Sequence, residues 1–158
     1  MSKGGGEGQR LMMSKDAESQ HTSEKHRLPG NRESMDFVQQ SILDTMETLD
    51  YGERDLFAVR IAVEEAIANA VLHGHQGDQN RLFEIFWSIS SDIVTVTVCD
   101  EGRGYDAEAV PDPTADENLT LPSGRGLAMI NAFMSDVKIT ENGRRIEMTR
   151  AKEKLSAG

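Results

Sequence analysis

At 158 residues the chain has room for one domain and a tail, since a domain averages about 150 residues. Its 17 Lys plus Arg against 27 Asp plus Glu leave a net charge of -10, which repels a phosphate backbone, so no direct nucleic-acid binding is expected. With 37% hydrophobic and 28% charged residues a core can form, while the single cysteine, Cys99, excludes an internal disulfide and a cysteine-based zinc site.

From Met1 to Ser23 the chain is Gly, Ser, Gln, Glu and Lys with little to bury, and burial cannot offset the entropy of ordering it. Residues 1–23 are therefore expected to form a disordered arm, in which Leu11, Met12 and Met13 are the one apolar spot. Met1 to Lys15 lacks the continuous apolar stretch of a signal peptide, and no later run reaches the roughly 18 apolar residues of a membrane span. A cytoplasmic protein without membrane contact is the expectation, with a folded domain over residues 24–152 and a frayed end over 153–158.

Glu24 to Pro29 can supply a first strand, and Pro29, Gly30 and Asn31 mark a turn into a helix. There Met35, Val38, Ile42, Met46 and Leu49 recur at steps of three or four, the period of one buried helical stripe. A second helix is predicted from Glu53 to His73, with Leu56, Val59, Val63, Ala66, Ile67 and Ala70 as its apolar face. Leu82 to Ile89 and Ile93 to Cys99 are rich in β-formers and read as a hairpin turned at Ser90, Ser91 and Asp92. The Pro-, Asp- and Glu-rich stretch from Tyr105 to Pro122 is long for a simple connection and reads as a functional loop or lid. A helix from Gly126 to Met134 follows, then strands Val137 to Thr140 and Arg145 to Thr149 turned at Asn142 and Gly143. This order predicts an α+β fold, a two-layer α/β sandwich with helices on one face of a mixed or antiparallel sheet.

Three motifs stand out. Glu65, Asn69 and His73 fall at i, i+4 and i+8 and line one side of the second helix. Taken alone they fit a solvated face more readily than a site. Asp100, Gly102 and Gly104 follow directly on an apolar strand, so a carboxylate able to accept an amine N–H stands ahead of two flexible backbone positions. An isolated Asp-x-Gly-x-Gly is otherwise a plain turn. Ser123, Gly124, Arg125, Gly126 and Leu127 open the last helix, where backbone N–H groups and the positive end of the helix dipole favour an anion. That spacing too is common in turns.

Together and in this order, the motifs resemble the asparagine box and the two glycine boxes of the GHKL ATP-binding superfamily, which groups gyrase, heat-shock chaperones, histidine kinases and MutL. The likeness runs from about His26 to Lys152, and the element order is similar to that superfamily's Bergerat fold. Within it, the run from Glu64 to Gly74 most resembles the small anti-sigma-factor serine/threonine kinases.

The resemblance implies ATP and Mg²⁺ as cofactors. By it, Asn69 holds the metal that bridges the phosphates, Asp100 takes the adenine amine, and Gly102 and Gly104 shape the adenine pocket. Ser123, Gly124, Arg125, Gly126 and Leu127 hold the phosphates, with His73 near them or simply capping its helix. Glu65 stands where these kinases place a catalytic carboxylate able to orient or deprotonate a serine hydroxyl. The implied partners are a sigma factor and a small antagonist protein phosphorylated on serine, with a homodimer as the implied assembly.

The chain departs from the family's pattern twice. Arg144 and Arg145 follow Gly143 where the family often has a threonine contacting the adenine region, and Pro122 precedes Ser123 where some of these kinases carry a basic residue. A non-catalytic, nucleotide-gated protein-binding module would need the same pocket and is the alternative. A histidine-kinase catalytic domain fits less well: the chain before Glu33 is too short and polar for a dimerising helical hairpin, and His21 and His26 lie in sequence read as weakly structured.

Overall fold

The computed structural model describes residues 21–71, 82–100, 124–141 and 143–154. In chain order they form β1 (His21–Pro29), α1 (Arg32–Thr48), α2 (Glu53–Asn69), β2 (Leu82–Ser90), β3 (Ile93–Asp100), α3 (Gly124–Phe133), β4 (Asp136–Thr140) and β5 (Arg145–Ala151). The loop expected over Tyr105 to Pro122, the first 20 residues of the expected arm and residues 155–158 of the expected frayed end lie outside the described residues.

The strands make one sheet in the order β1-β2-β3-β5-β4, with every pair antiparallel. Two hairpins account for most of this: β2 and β3 turn at Ser91 and Asp92, and β4 and β5 turn where Glu141 and Gly143 take positive φ of 55° and 88°. The second value lies where a residue without Cβ is unstrained. α3 carries the chain from β3 past β5, so that β5 can return to pair with β3.

Because strand side chains alternate, one face of the sheet takes Phe83, Ile85, Trp87, Ile89, Val94, Val96, Val98, Ile146 and Met148, all buried. The three helices cover that face. Val38, Ile42 and Met46 project from α1, Val59, Ala62, Val63, Ala66 and Ile67 from α2, and Ile130 from α3. The alanines on α2 keep its core-facing surface low, so the helix can lie close to the sheet between its neighbours. The opposite face carries Lys25, Glu84, Thr95 and Glu147, with Lys25 and Glu84 at 4.0 Å.

Asn31 caps α1, its side chain accepting from the Ser34 backbone N–H at 2.8 Å, as the Pro-Gly-Asn turn leads one to expect. β1 begins at His21, earlier than the sequence suggests, and its two histidines are held. His21 Nε2 lies 2.7 Å from Ser88 Oγ, while His26 stacks on Trp87 with ring centroids 5.2 Å apart and lies 2.9 Å from Glu24. The reading of both as weakly structured is thus corrected: the alternation of β1 is polar on the inner face as well, which hid a strand that packs through an imidazole.

One end of the sandwich is tied together by the residues that leave β5. Arg150 Nε donates to Asp55 Oδ1 at 2.7 Å in the first turn of α2, and its Nη1 donates to Phe133 O at 2.7 Å at the end of α3. The Glu153 backbone N–H donates to the other Asp55 oxygen at 3.0 Å, and Lys152 Nζ donates to Leu49 O at 2.8 Å at the end of α1. The Asp55 side chain is 2% exposed, so removing its partner strands a buried charge. Arg150→Ala is expected to cost about 3–5 kcal/mol in urea denaturation. The paired apolar change Arg150→Met with Asp55→Leu should restore a large part of that loss.

Candidate functional site

The same ties determine where the motif residues come to lie. Asp55 sits beside Arg150, and Arg150 is the cross-strand partner of Val94 near the start of β3. From Asp55 to Asn69 is 14 residues, or about 21 Å of helix. From Val94 to Asp100 is six residues, or about 20 Å of strand. α2 and β3 therefore start together and extend by similar lengths. α3 is pinned at its last residue, Phe133, so its first residue, Gly124, lies about 14 Å from that pin, towards the same far end. Asn69, Asp100 and the first turn of α3 all lie away from the pinned end.

Each arrives in a definite state. Glu65 and Asn69 are half-buried and stand one turn apart, whereas Glu64 is exposed. Asn69 Nδ2 is buried and has no hydrogen-bond partner. Beyond Asn69 the backbone widens into a π-type turn at Ala70 and Val71, an irregularity often found at functional sites. Asp100 is 7% exposed and closes the buried series of Val94, Val96 and Val98, with Phe83 opposite on β2. Its backbone N–H donates to Arg144 O at 2.8 Å. Gly126 is buried and Leu127 half-buried in the first turn of α3, whose leading N–H groups have no partner within their own helix. Gly124 and Arg125 belong to that turn, while His73, Gly102, Gly104 and Ser123 lie outside the described residues.

The donor set suits a nucleotide with its metal. A polar amide without a partner, a buried carboxylate and a helix N-terminus are the groups that a metal-bridged phosphate, a base amine and a phosphate oxygen would satisfy. Among the described residues no three His, Cys, Asp or Glu side chains cluster to hold a metal by themselves. Cys99 points to the outer face, where burial first and Glu141 next push its thiol up, leaving it a weak nucleophile. A cleft of about 380 Å³ lined by Asp50, Gly52, Asp55, Lys152, Glu153 and Lys154 lies at the pinned end and contains none of the motif residues.

The sequence reading missed Arg150 and Asp55, which bring the motifs together. A signal was present: Arg150 continues the inward series of Ile146 and Met148, and an arginine in that register calls for a buried partner. It also left Arg144 as a mere departure, although the sheet sets it directly beside Asp100.

A five-stranded antiparallel sheet with helices on one face defines an α+β sandwich. Residues 28–150 match the family described as the histidine kinase-like ATPase domain. The chain belongs to that family, which implies ATP binding. It is 29% identical over 109 residues to the anti-sigma F factor of Clostridium perfringens, covering 68% of this chain and 78% of that protein. It is 32% identical over 93 residues to the anti-sigma F factor of Halalkalibacterium halodurans, covering 58% and 64%. With the serine-protein kinase RsbW of Staphylococcus aureus it shares 26% identity over 132 residues, covering 78% and 83%. Among solved structures, that of the RsbU and RsbW domains of a Mycobacterium tuberculosis protein superposes with a TM-score of 0.54 at 18% identity. The match covers 82% of this chain and 33% of that one, and it shows the likeness of fold. No helix among the described residues is long and apolar enough to cross a membrane.

Asp100→Asn replaces one acceptor oxygen of the buried carboxylate with a donor. ATP affinity measured by calorimetry is expected to fall about tenfold or more, with little change in the thermal midpoint.

Proposed function

We propose that the chain is an ATP-dependent serine kinase of the anti-sigma type, which binds a sigma factor and phosphorylates a small antagonist protein on serine. The observation that carries this reading is the pairing of Glu65 with Asn69 on one face of α2, at the end where Asp100 and the start of α3 also lie. Its support from relatives is the names of the anti-sigma F factors and of the RsbW kinase.

In this reading Asp100 accepts the adenine amine, and the N–H groups of Gly124, Arg125, Gly126 and Leu127, with Ser123 ahead of them, hold phosphate oxygens. Gly102 and Gly104 shape the adenine side, and His73 borders the phosphates. Asn69 contributes its amide oxygen to Mg²⁺, which when bound neutralises charge developing on the transferred phosphoryl group. Glu65, about 6 Å along the helix from Asn69, accepts the proton of the attacking serine hydroxyl or aligns that hydroxyl. The oxygen then attacks the γ-phosphorus, the bond to the β-phosphate oxygen breaks, and ADP leaves.

Two variants separate catalysis from binding. Glu65→Gln keeps shape and polarity but removes the base, so phosphotransfer to a serine-bearing antagonist is expected to fall about 10²- to 10⁴-fold with ATP affinity unchanged. Full activity in that variant would remove Glu65 from the chemistry. Asn69→Ala is expected to abolish the magnesium-dependent part of ATP binding, and an unchanged calorimetric affinity would end the metal assignment. Protein that binds ATP yet transfers no phosphate to any antagonist would instead be a nucleotide-gated binding module.

A further inference from the structure

Arg144 stands where the resemblance leads one to expect a threonine. The register pairs Cys99 with Arg145, so the next pair outward is Asp100 with Arg144, joined by the 2.8 Å bond from the Asp100 N–H to the Arg144 carbonyl. Residues directly opposite in an antiparallel pair project from the same face, about 5 Å apart at Cβ. Asp100 extends the inward series of Val94, Val96 and Val98, and Arg144 extends that of Ile146 and Met148. Both therefore face the helix layer, at the end where Asn69 and the first turn of α3 lie.

The state of the guanidinium is telling. The Arg144 side chain is 30% exposed, and its Nη2 lies 3.6 Å from Glu141 Oε1, yet its Nε is buried and has no partner. Arginine offers only donors, and a buried N–H left unsatisfied costs free energy until an acceptor arrives. An acceptor beside the group that engages Asp100 would satisfy it.

On the reading of the site as an ATP pocket, we propose that Arg144 is a base-recognition residue: while Asp100 accepts the exocyclic amine of adenine, Arg144 donates to a ring nitrogen flanking that amine. The pair forms an acceptor and a donor side by side, matching the donor and acceptor on the edge of adenine. On the N1 side guanine reverses both groups, setting a carbonyl oxygen against the carboxylate and an N–H against the guanidinium; on the N7 side it reverses the first alone. This chain is thereby selective for adenine through a direct contact.

The test is a calorimetric titration of the whole chain and of Arg144→Met with ATP, GTP, 1-deaza-ATP and 7-deaza-ATP. The two deaza compounds each remove one ring nitrogen beside the amine, so they distinguish the two flanking positions without disturbing the protein. Wild-type protein is expected to lose about ten- to a hundredfold in affinity for one of them and at least as much for GTP. Arg144→Met should bind ATP about as weakly as the wild type binds that analogue, and should no longer distinguish the two. Equal wild-type affinity for ATP and both deaza analogues overturns the proposal, as does discrimination that survives in Arg144→Met. A wild-type protein that binds no nucleotide overturns the ATP pocket itself, and with it the role of Arg144.

Discussion

The buried pair of Arg150 and Asp55 is the constraint on which the placement of every other element depends. One guanidinium spans the first turn of α2, the last carbonyl of α3 and the strand β5 that carries it. The groups it meets are ones a helix leaves unpaired, and a cation beside the C-terminal carbonyl of α3 is favourable to that helix's dipole. Lys152 does the same for α1 through Leu49 O, and its ammonium also lies over the Tyr51 ring at 4.8 Å. Two residues further back than Lys152, in a register otherwise filled by Ile146 and Met148, an aliphatic side chain could pack but could not join these three elements. The ion pairs hold the near end, and the apolar faces packed along each helix set its direction over the sheet.

Division of the molecule into a pinned end and a receptive end explains an otherwise costly feature. Asn69 Nδ2 and Arg144 Nε are both buried without partners, and a native fold keeps few such atoms. Both belong to the end away from Arg150, which has ties of its own. The pinned end satisfies its polar groups internally, with Asp55 taking two donors and Arg150 giving two. Leaving donors unmet at the other end is consistent with ligand groups supplying the missing acceptors. Two further buried atoms without partners, Gln39 Oε1 and Trp87 Nε1, show that an orphan by itself is weak evidence, and the convergence with Asp100 is what gives the first two their weight.

Much of this architecture was legible from local pattern. Alternation in Leu82 to Ile89, three-and-four spacing in α1, and the turns at Asn31 and Gly143 all reflect neighbours a few residues apart, which sequence records directly. The family was legible because its motifs follow in a fixed order, so three weak signals reinforced one another. What sequence concealed was long-range pairing. Asp55 and Arg150 are 95 positions apart, and neither is unusual until the sheet sets one beside the other. β1 was read too short for a related reason: Glu24 and His26 look like surface residues, and only Trp87 against the imidazole makes that strand's inner face a packed one. The roles of Glu65 and Asn69 rest on the resemblance and on their half-buried positions together, and phosphotransfer assays decide them.

The net charge of -10 poses a last physical question, because ATP is itself a polyanion. At physiological salt the Debye length is about 8 Å, so carboxylates scattered over the surface act on a bound nucleotide only weakly. The pinned end lies about 20 Å from Asp100 along β3, more than two such lengths away, and it holds Asp50, Asp55 and Glu153. In the proposed site the groups that would act on the nucleotide are the N–H dipoles at the start of α3 and the Arg144 guanidinium. The same reasoning makes Arg144 more than an exchange of side chains, since it places a full positive charge beside a buried carboxylate.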